Sequence, residues 1–218
     1  MALVFSLDYV AMNRHMSNGF TLLELLVTIF VVAILISVGV PSFTRTIQTS
    51  RMAGSTNDLV TSIHRARSEA VKRRAPVTLC ASNNPLAAAP ACNAGGNMVG
   101  WIVFVDDADL DGNGQPDGNI VIDPGEVILE AHAALPAQLT IRSDAAFASF
   151  TPNGFRRNGP LGPSVTMVLF CDARGNVSQG ATGSAARMVM VPVTGRPQLG
   201  RDVADIDFAL AQLGGTCP

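Results

Sequence analysis

The chain of 218 residues is 48% hydrophobic and 15% charged, with a formal net charge of -2. That composition excludes a disordered chain and a coiled coil. It also supplies no overall attraction to nucleic acid or anionic lipid, so polyanion binding would need a local patch. One Trp and one Tyr leave little material for base stacking. Three His, and four Cys with no CxxC pair among them, argue against a zinc site. An even number of cysteines behind an export segment favours two disulfides in an oxidising compartment. Three connectivities are open. The short spacing favours Cys80 with Cys92, which leaves Cys171 with Cys217.

The first element is the apolar run from Leu22 to Val40. As a helix rising about 1.5 Å per residue it is long enough to cross a bilayer. Glu24 interrupts it near its start. A carboxylate at the bilayer centre costs roughly 2.5–3.5 kcal/mol on insertion scales, so it needs a cationic partner. Arg14 and His15 precede the run, as positive-inside orientation demands. A secretory signal peptide would carry its small-residue cleavage site after the apolar run. Here the small residue, Gly19, comes before it, and the run continues in helical register through "ISVGVPSFTRTIQTS". The predicted processing point is therefore between Gly19 and Phe20, on the cytoplasmic side, with the apolar segment retained. Cutting there frees an α-amine on Phe20, four residues before Glu24 on the same helix face. That amine, or its counterpart on a neighbouring subunit, is the expected partner of Glu24. The plainer alternative is a single-span anchor with a chance Glu near the interface.

The stretch "GFTLLELLVTIFVVAILISVGVP", from Gly19 through Phe20, Thr21, Leu22, Leu23 and Glu24 to Pro41, resembles the prepilin signature of type IV pilins and type II secretion pseudopilins. The resemblance implies cleavage after Gly19 and N-methylation of Phe20 by prepilin peptidase. It implies pairing of Glu24 with the N terminus of another subunit during assembly, and a kinked or locally melted helix at Pro41, where a donor is missing. The segment before Met12, "MALVFSLDYVA", departs from a short basic leader. That puts the expected start of translation at Met12 or Met16 rather than Met1.

The helical pattern continues from Ser42 to Ala75. Leu59, Ile63, Ala66 and Ala70 share one face, and Arg65, Arg67, Glu69, Lys72, Arg73 and Arg74 take the others. Pro76 ends the helix. The basic run "RSEAVKRR" reads as a solvated helix end favoured by the dipole, with a nucleic-acid site the alternative. Seven strands are predicted beyond it, at 76–80, 100–106, 126–132, 138–143, 147–151, 164–171 and 187–194, separated by Gly, Pro, Asn and Asp. No further helical period is read. The expected fold is α+β, one long helix followed by an antiparallel β head. The predicted organisation is a leader over 1–19, the membrane half of the helix over 20–41, its amphipathic half over 42–75, and the head over 76–218. The landmarks "SEAVKRR", "TLC", "GWIVFVD", "FTPNGF", "VLFCDARG" and "VPVTGRPQ", with the near-terminal Cys217, resemble in their order the GspH/FimT (FimU-like) branch of minor pilins.

Two constellations remain. Asp107, Asp109 and Asp111 occupy positions 1, 3 and 5 of an EF-type loop, with Gly112 at 6. Position 12 is Gly118, so the bidentate carboxylate is missing unless Asp117 or Asp123 replaces it. A solvated, turn-rich acidic loop is the favoured reading, with calcium the alternative and no other cofactor expected. In "TGRPQLGRD", Arg196 and Arg201 lie in a Gly-flanked loop at the place where DNA-capturing FimT-like pilins carry a GRxR-like motif; Gln198 stands where the second Arg belongs. Loop arginines that support the head are the favoured reading there. His64 and His132 have no nucleophile partner, and neither GxSxG nor HExxH occurs, so no enzyme is expected.

The resemblance implies a minor type IV pilin that works in pilus assembly and priming at the inner membrane and filament tip. The alternatives are a minor pseudopilin of a type II secretion system and a DNA-capturing minor pilin. Implied partners are other major and minor pilins or pseudopilins, prepilin peptidase and the inner-membrane assembly platform. The implied location is the bacterial inner membrane as a single-pass protein with a periplasmic head, then an extracellular pilus or a periplasmic pseudopilus.

Overall fold

A computed structural model of the protein describes residues 19–93, 98–109, 118–159, 162–178 and 183–217. Helix α1 runs from Leu22 to Arg73. The chain divides within it, between Arg45 and Thr46, into two units.

In the first unit every described side chain is exposed. Leu22, Phe30, Leu35 and Phe43 are each more than 60% exposed, far more apolar surface than water tolerates on a stable monomer. The helix is long and apolar enough to cross a membrane. Three of its hydroxyls are satisfied by its own backbone, as a lipid environment requires. Thr28 Oγ1 donates to the Leu25 carbonyl at 2.8 Å, Ser37 Oγ to Ile34 at 2.7 Å and Thr44 Oγ1 to Pro41 at 3.0 Å. The expected melting at Pro41 is not seen, since helix continues through it. The proline removes one N–H, the one Ser37 would accept, and the turns on either side hold.

In the second unit α1 buries one stripe: Met52, Leu59, Ile63, Ala66 and Ala70. It ends at Arg73, two residues before the expected boundary. Arg74 turns left-handed, at φ 55, and Pro76 then biases Ala75 away from helix. Among the described residues nine strands follow: β1 (Val77–Ser82), β2 (Gly100–Val105), β3 (Ile128–His132), β4 (Leu139–Ser143), β5 (Phe147–Phe150), β6 (Arg156–Arg157), β7 (Met167–Asp172), β8 (Gly183–Met190) and β9 (Gln198–Asp202). Helix α2 (Val203–Leu213) closes the order. They form two antiparallel sheets, β3-β2-β1-β5-β6 and β4-β7-β8-β9. Residues 164–166, predicted as the start of a strand, stitch the sheets together instead. Val165 N–H donates to Phe147 O at 2.7 Å, and the Asp144 carboxylate accepts the Thr166 N–H at 2.9 Å.

Both faces of β1 are covered, which explains its unbroken burial. Val77, Leu79 and Ala81 join the core against α1, while Cys80 packs with Ile102, Phe104, Ile120 and Phe147 on the other face. In the second sheet Val168, Phe170 and Val189 point into the main core. Met167, Leu169, Cys171, Ala186 and Met188 face the opposite way and are capped by Ile206 and Ala209 of α2. Three elements were not expected, β6, β9 over part of the expected loop at 194–202, and α2, and β8 lies four residues earlier than the predicted 187–194. Cys80 is joined to Cys92 and Cys171 to Cys217, with Cα separations of 5.5 and 5.4 Å. The second bridge ties the end of α2 to β7.

Candidate functional site

Gly19 and Phe20 are exposed ahead of α1. Thr21 caps the helix: its carbonyl accepts the Leu25 N–H at 3.1 Å, and its Oγ1 accepts the Glu24 N–H at 3.2 Å. The sequence reading missed this role, although Thr-x-x-Glu is the capping-box signature. The cap fixes Glu24 as the third helical residue, in the first turn, where the helix dipole favours a negative charge. Glu24 is the one charged residue from Phe20 to Thr44. Among the described residues its carboxylate takes part in no ion pair.

The acidic segment after β2 is held at its neck. Asp106 is fully buried and accepts Thr78 Oγ1 at 2.8 Å and the Ile120 N–H at 3.3 Å, with Arg157 Nη2 at 3.6 Å. Arg157 also donates to Ser149 Oγ at 2.9 Å and to the Gly118 carbonyl. Glu126 accepts the Ala108 and Asp123 N–H groups at 3.2 and 2.9 Å. Burial, followed by the nearby charges of Asp106 and Asp123, outweighs those two bonds and pushes the Glu126 carboxyl up to about 7. Asp107 and Asp109 are exposed where the segment begins, while Asp111 and Asp117 lie outside the described residues. Among the described residues no group of three His, Cys, Asp or Glu is arranged to hold a metal. Asp123 accepts Asn119 Nδ2 at 2.8 Å, a bond within the loop itself.

Arg196 and Arg201 are both exposed, but they do not share one loop. Arg196 follows Gly195, whose φ of 70 and close approach to the Gly154 carbonyl leave no room for a side chain. Arg201 lies near the far end of β9. The basic end of α1 is largely engaged: Glu69 takes Arg73 at 2.6 Å and Lys72 at 3.3 Å, and Arg67 donates to the Gly154 carbonyl at 2.9 Å.

His132 stacks on Trp101 with ring centroids 3.8 Å apart, and its Nε2 lies 3.4 Å from Asp58 Oδ2. Trp101 Nε1 donates to Ser62 Oγ at 2.9 Å. Ser62 Oγ is also 2.5 Å from Glu130 Oε1, whose other oxygen meets Arg65 at 3.2 Å. This polar seam fastens β2 and β3 to α1. His64 is exposed on α1.

Residues 14–40 match the prokaryotic N-terminal methylation motif, and residues 55–195 match the family described as Type II transport protein GspH. Two crystal structures of the Pseudomonas aeruginosa PAO1 type IV minor pilin FimU are similar at 18% identity. One match covers 78% of this chain and 96% of that chain with a TM-score of 0.41. The other covers 76% and 99% with a TM-score of 0.39. No curated protein matches the chain. The methylation motif and the apolar helix fit anchoring in the bacterial inner membrane. With the GspH match spanning more than half its length, the chain belongs to the GspH family of type IV pilin and pseudopilin subunits.

Proposed function

We propose that this chain is a minor type IV pilin, processed between Gly19 and Phe20, N-methylated on Phe20, and held in the inner membrane until it enters a filament. Its work is assembly and priming, with the head near the filament tip. The observation that carries the reading is the lone carboxylate of Glu24. It sits one turn into a helix whose surface is otherwise apolar through Thr44, and it has no partner of its own among the described residues. A charge placed there in lipid needs a cation. The amine freed on Phe20 of a neighbouring subunit supplies one and sets the axial register of the two helices. Thr21 keeps the carboxylate in the first turn by capping the Glu24 N–H.

The test is Glu24→Val. Membrane insertion is expected to survive, because the change lengthens the apolar run. Incorporation into sheared filaments is expected to fall severalfold. Wild-type levels of the variant in filaments would remove the pairing. The family description favours a second reading, a minor pseudopilin of a type II secretion system. Deleting the gene and scoring surface piliation, secretion and transformation side by side separates the two readings and tests DNA capture through Arg196 and Arg201 in the same strains.

A further inference from the structure

The sheet β3-β2-β1-β5-β6 carries a cavity of about 420 Å³ on the face turned away from α1. Pro90, Cys92, Ile120, Val121, Ile122 and Phe147 line it. Its walls are fixed. The Cys80–Cys92 bridge fastens one side to β1. On another side Ile120 holds a left-handed φ of 69, a costly conformation for a β-branched residue. Its N–H donates to the buried Asp106, and its side chain fills the space that a side chain at Gly159 would need. An apolar cavity of about 150 Å³ already admits benzene, so this one has room for an aromatic ring and part of the chain that bears it. Among the described residues the one charged side chain in its lining is Asp144, which is exposed, and Asp123 follows Ile122. The arginines nearby do not offset these two acids. Arg157, on the same face, is matched by Asp106. Arg156 pairs with Phe150 and so points to the opposite face, and Arg142 is turned to the Gly214 carbonyl at 2.9 Å.

Phe155 is 52% exposed in the turn that joins β5 to β6. The turn holds it firmly: its N–H donates to Thr151 Oγ1 at 3.2 Å, and its carbonyl accepts the Thr151 N–H at 2.9 Å. Val71 and Val193 adjoin it and are exposed as well. A side chain at Gly154 would touch Val71, and the Arg156 N–H donates to the Val193 carbonyl at 2.9 Å. Cations rim this apolar patch. Arg67 donates to the Gly154 carbonyl at 2.9 Å, and the exposed Arg196 follows Gly195, which lies against that same carbonyl. Glu69, the acid at this end of α1, is held by both Arg73 and Lys72, so that group is cationic too. Asp107 and Asp109 follow β2, two strands away from β5 in the sheet.

We propose that the cavity receives Phe155 from the head of a second copy of this chain. The two surfaces match in shape and in sign: an aromatic ring with Arg67 and Arg196 beside it, and an apolar hollow with Asp144 and Asp123 at its mouth. One head cannot bring them together. Phe147, the first residue of β5, lines the cavity, and Phe155 lies beyond the other end of that strand. The contact is therefore heterologous: each copy offers the ring on one surface and the cavity on another, and a pair of copies keeps one of each free. The fixed walls and the hydrogen-bonded turn leave little to be ordered on docking. The contact involves heads alone and stands whether or not Glu24 pairs with an amine.

The test uses the full chain in detergent with the photoreactive p-benzoylphenylalanine in place of Phe155, isotopically light and heavy chains being mixed before irradiation. Mixed light–heavy cross-links are expected, joining position 155 to residues 120–122 or 144–147 of the other copy. Val121→Lys, at the exposed mouth of the cavity, should lower their yield severalfold, because it blocks entry and repels Arg67 and Arg196. Arg196→Glu should lower it as well, and high salt should weaken the contact of the unsubstituted surfaces. Both positions are exposed, and far-UV circular dichroism checks that the variants stay folded. Cross-links confined to single chains, or landing elsewhere on the partner, the apolar helix included, would overturn the docking. So would a yield unchanged by Val121→Lys. In host cells, cross-links from position 155 to a different pilin with none to this chain would overturn the second copy as the occupant.

Discussion

Ser62→Ala should destabilise the head by more than its single lost atom suggests. Trp101 is fully buried, and its indole N–H has the Ser62 hydroxyl at 2.9 Å as its partner. Removing the oxygen leaves a buried donor without an acceptor, which costs about 1–3 kcal/mol. The change in volume is too small to contribute a comparable cavity term. Glu130 loses one contact but keeps Arg65, a half-exposed pair worth well under 1 kcal/mol. The expected loss is therefore about 1–3 kcal/mol, or roughly 2–4 °C in Tm for each kcal/mol in a head of this size. The chain has one Trp, so urea unfolding followed by its emission reads the seam from inside. Trp101→Phe removes the donor and the fluorophore together, so the Phe background is followed by far-UV circular dichroism; adding Ser62→Ala there should cost less than it does in the wild type, because only the contact with Glu130 is left to lose. The coupling in this double-mutant cycle isolates the hydrogen bond. A single Ser62→Ala variant within about 0.5 kcal/mol of wild type would refute the reasoning, because surface-like substitutions fall in that range.

Glu126 should make stability fall as pH rises. Burial pushes its carboxyl up to about 7 in the folded head, against an ordinary value of 4.5, so between those limits the folded state holds the proton that the unfolded state has lost. Unfolding free energy should decline from pH 5 to pH 7.5, and Glu126→Gln should flatten that slope; an unchanged slope in urea titrations would count against the assignment. The bridges should differ in worth, since Cys171–Cys217 spans 46 residues and Cys80–Cys92 spans 12. In the chain-entropy model the longer loop is worth about 1 kcal/mol more, so Cys217→Ser should lower Tm further than Cys92→Ser. Equal losses would show that local packing, not loop length, sets their contribution.

How much of this was legible in the sequence depended on whether burial left a period behind. The stripe Leu59, Ile63, Ala66 and Ala70 was read correctly because the other faces of α1 carry charge, and all four residues are buried. The strongest strands, β1, β2 and β7, announce themselves as apolar runs because both of their faces are covered. Strand β9 left no such trace: only Gly200 among its five residues is even half-buried, so no alternation marks it. The turn signals in "TGRPQLG" then made a loop the natural reading. Helix α2 was legible and passed over: Ile206, Ala209, Leu210 and Leu213 have helical spacing, and Gly214 stands where a helix ends. Its role as the cover of the second sheet could not be read, since that depends on β7 and β8 exposing an apolar back face. Thr21 was hidden by the attention Glu24 attracts as an ion partner. The burial of Arg187 on β8 gives no signal at all, because a charge in an alternating strand reads as solvent-facing.

The separation of cores explains how one chain can serve two solvents. Among the described residues every buried one lies at Met52 or beyond, and the apolar side chains from Phe20 to Phe43 are exposed. The head therefore completes its own burial with α1 from Met52 onward, two sheets, α2 and two bridges. Exchanging the surroundings of residues 20–41, from lipid to the helices of other subunits, then removes no contact on which the head depends. The apolar side chains are served equally by either environment, because lipid tails and packed helices are alike in polarity. Glu24 is the exception. Under the proposed pairing, lipid leaves its carboxylate without a cation and a neighbouring α-amine supplies one, so this residue would carry the difference in free energy between the two surroundings. Under the assembly reading, that difference favours the filament over the membrane and does so without touching the stability of the head.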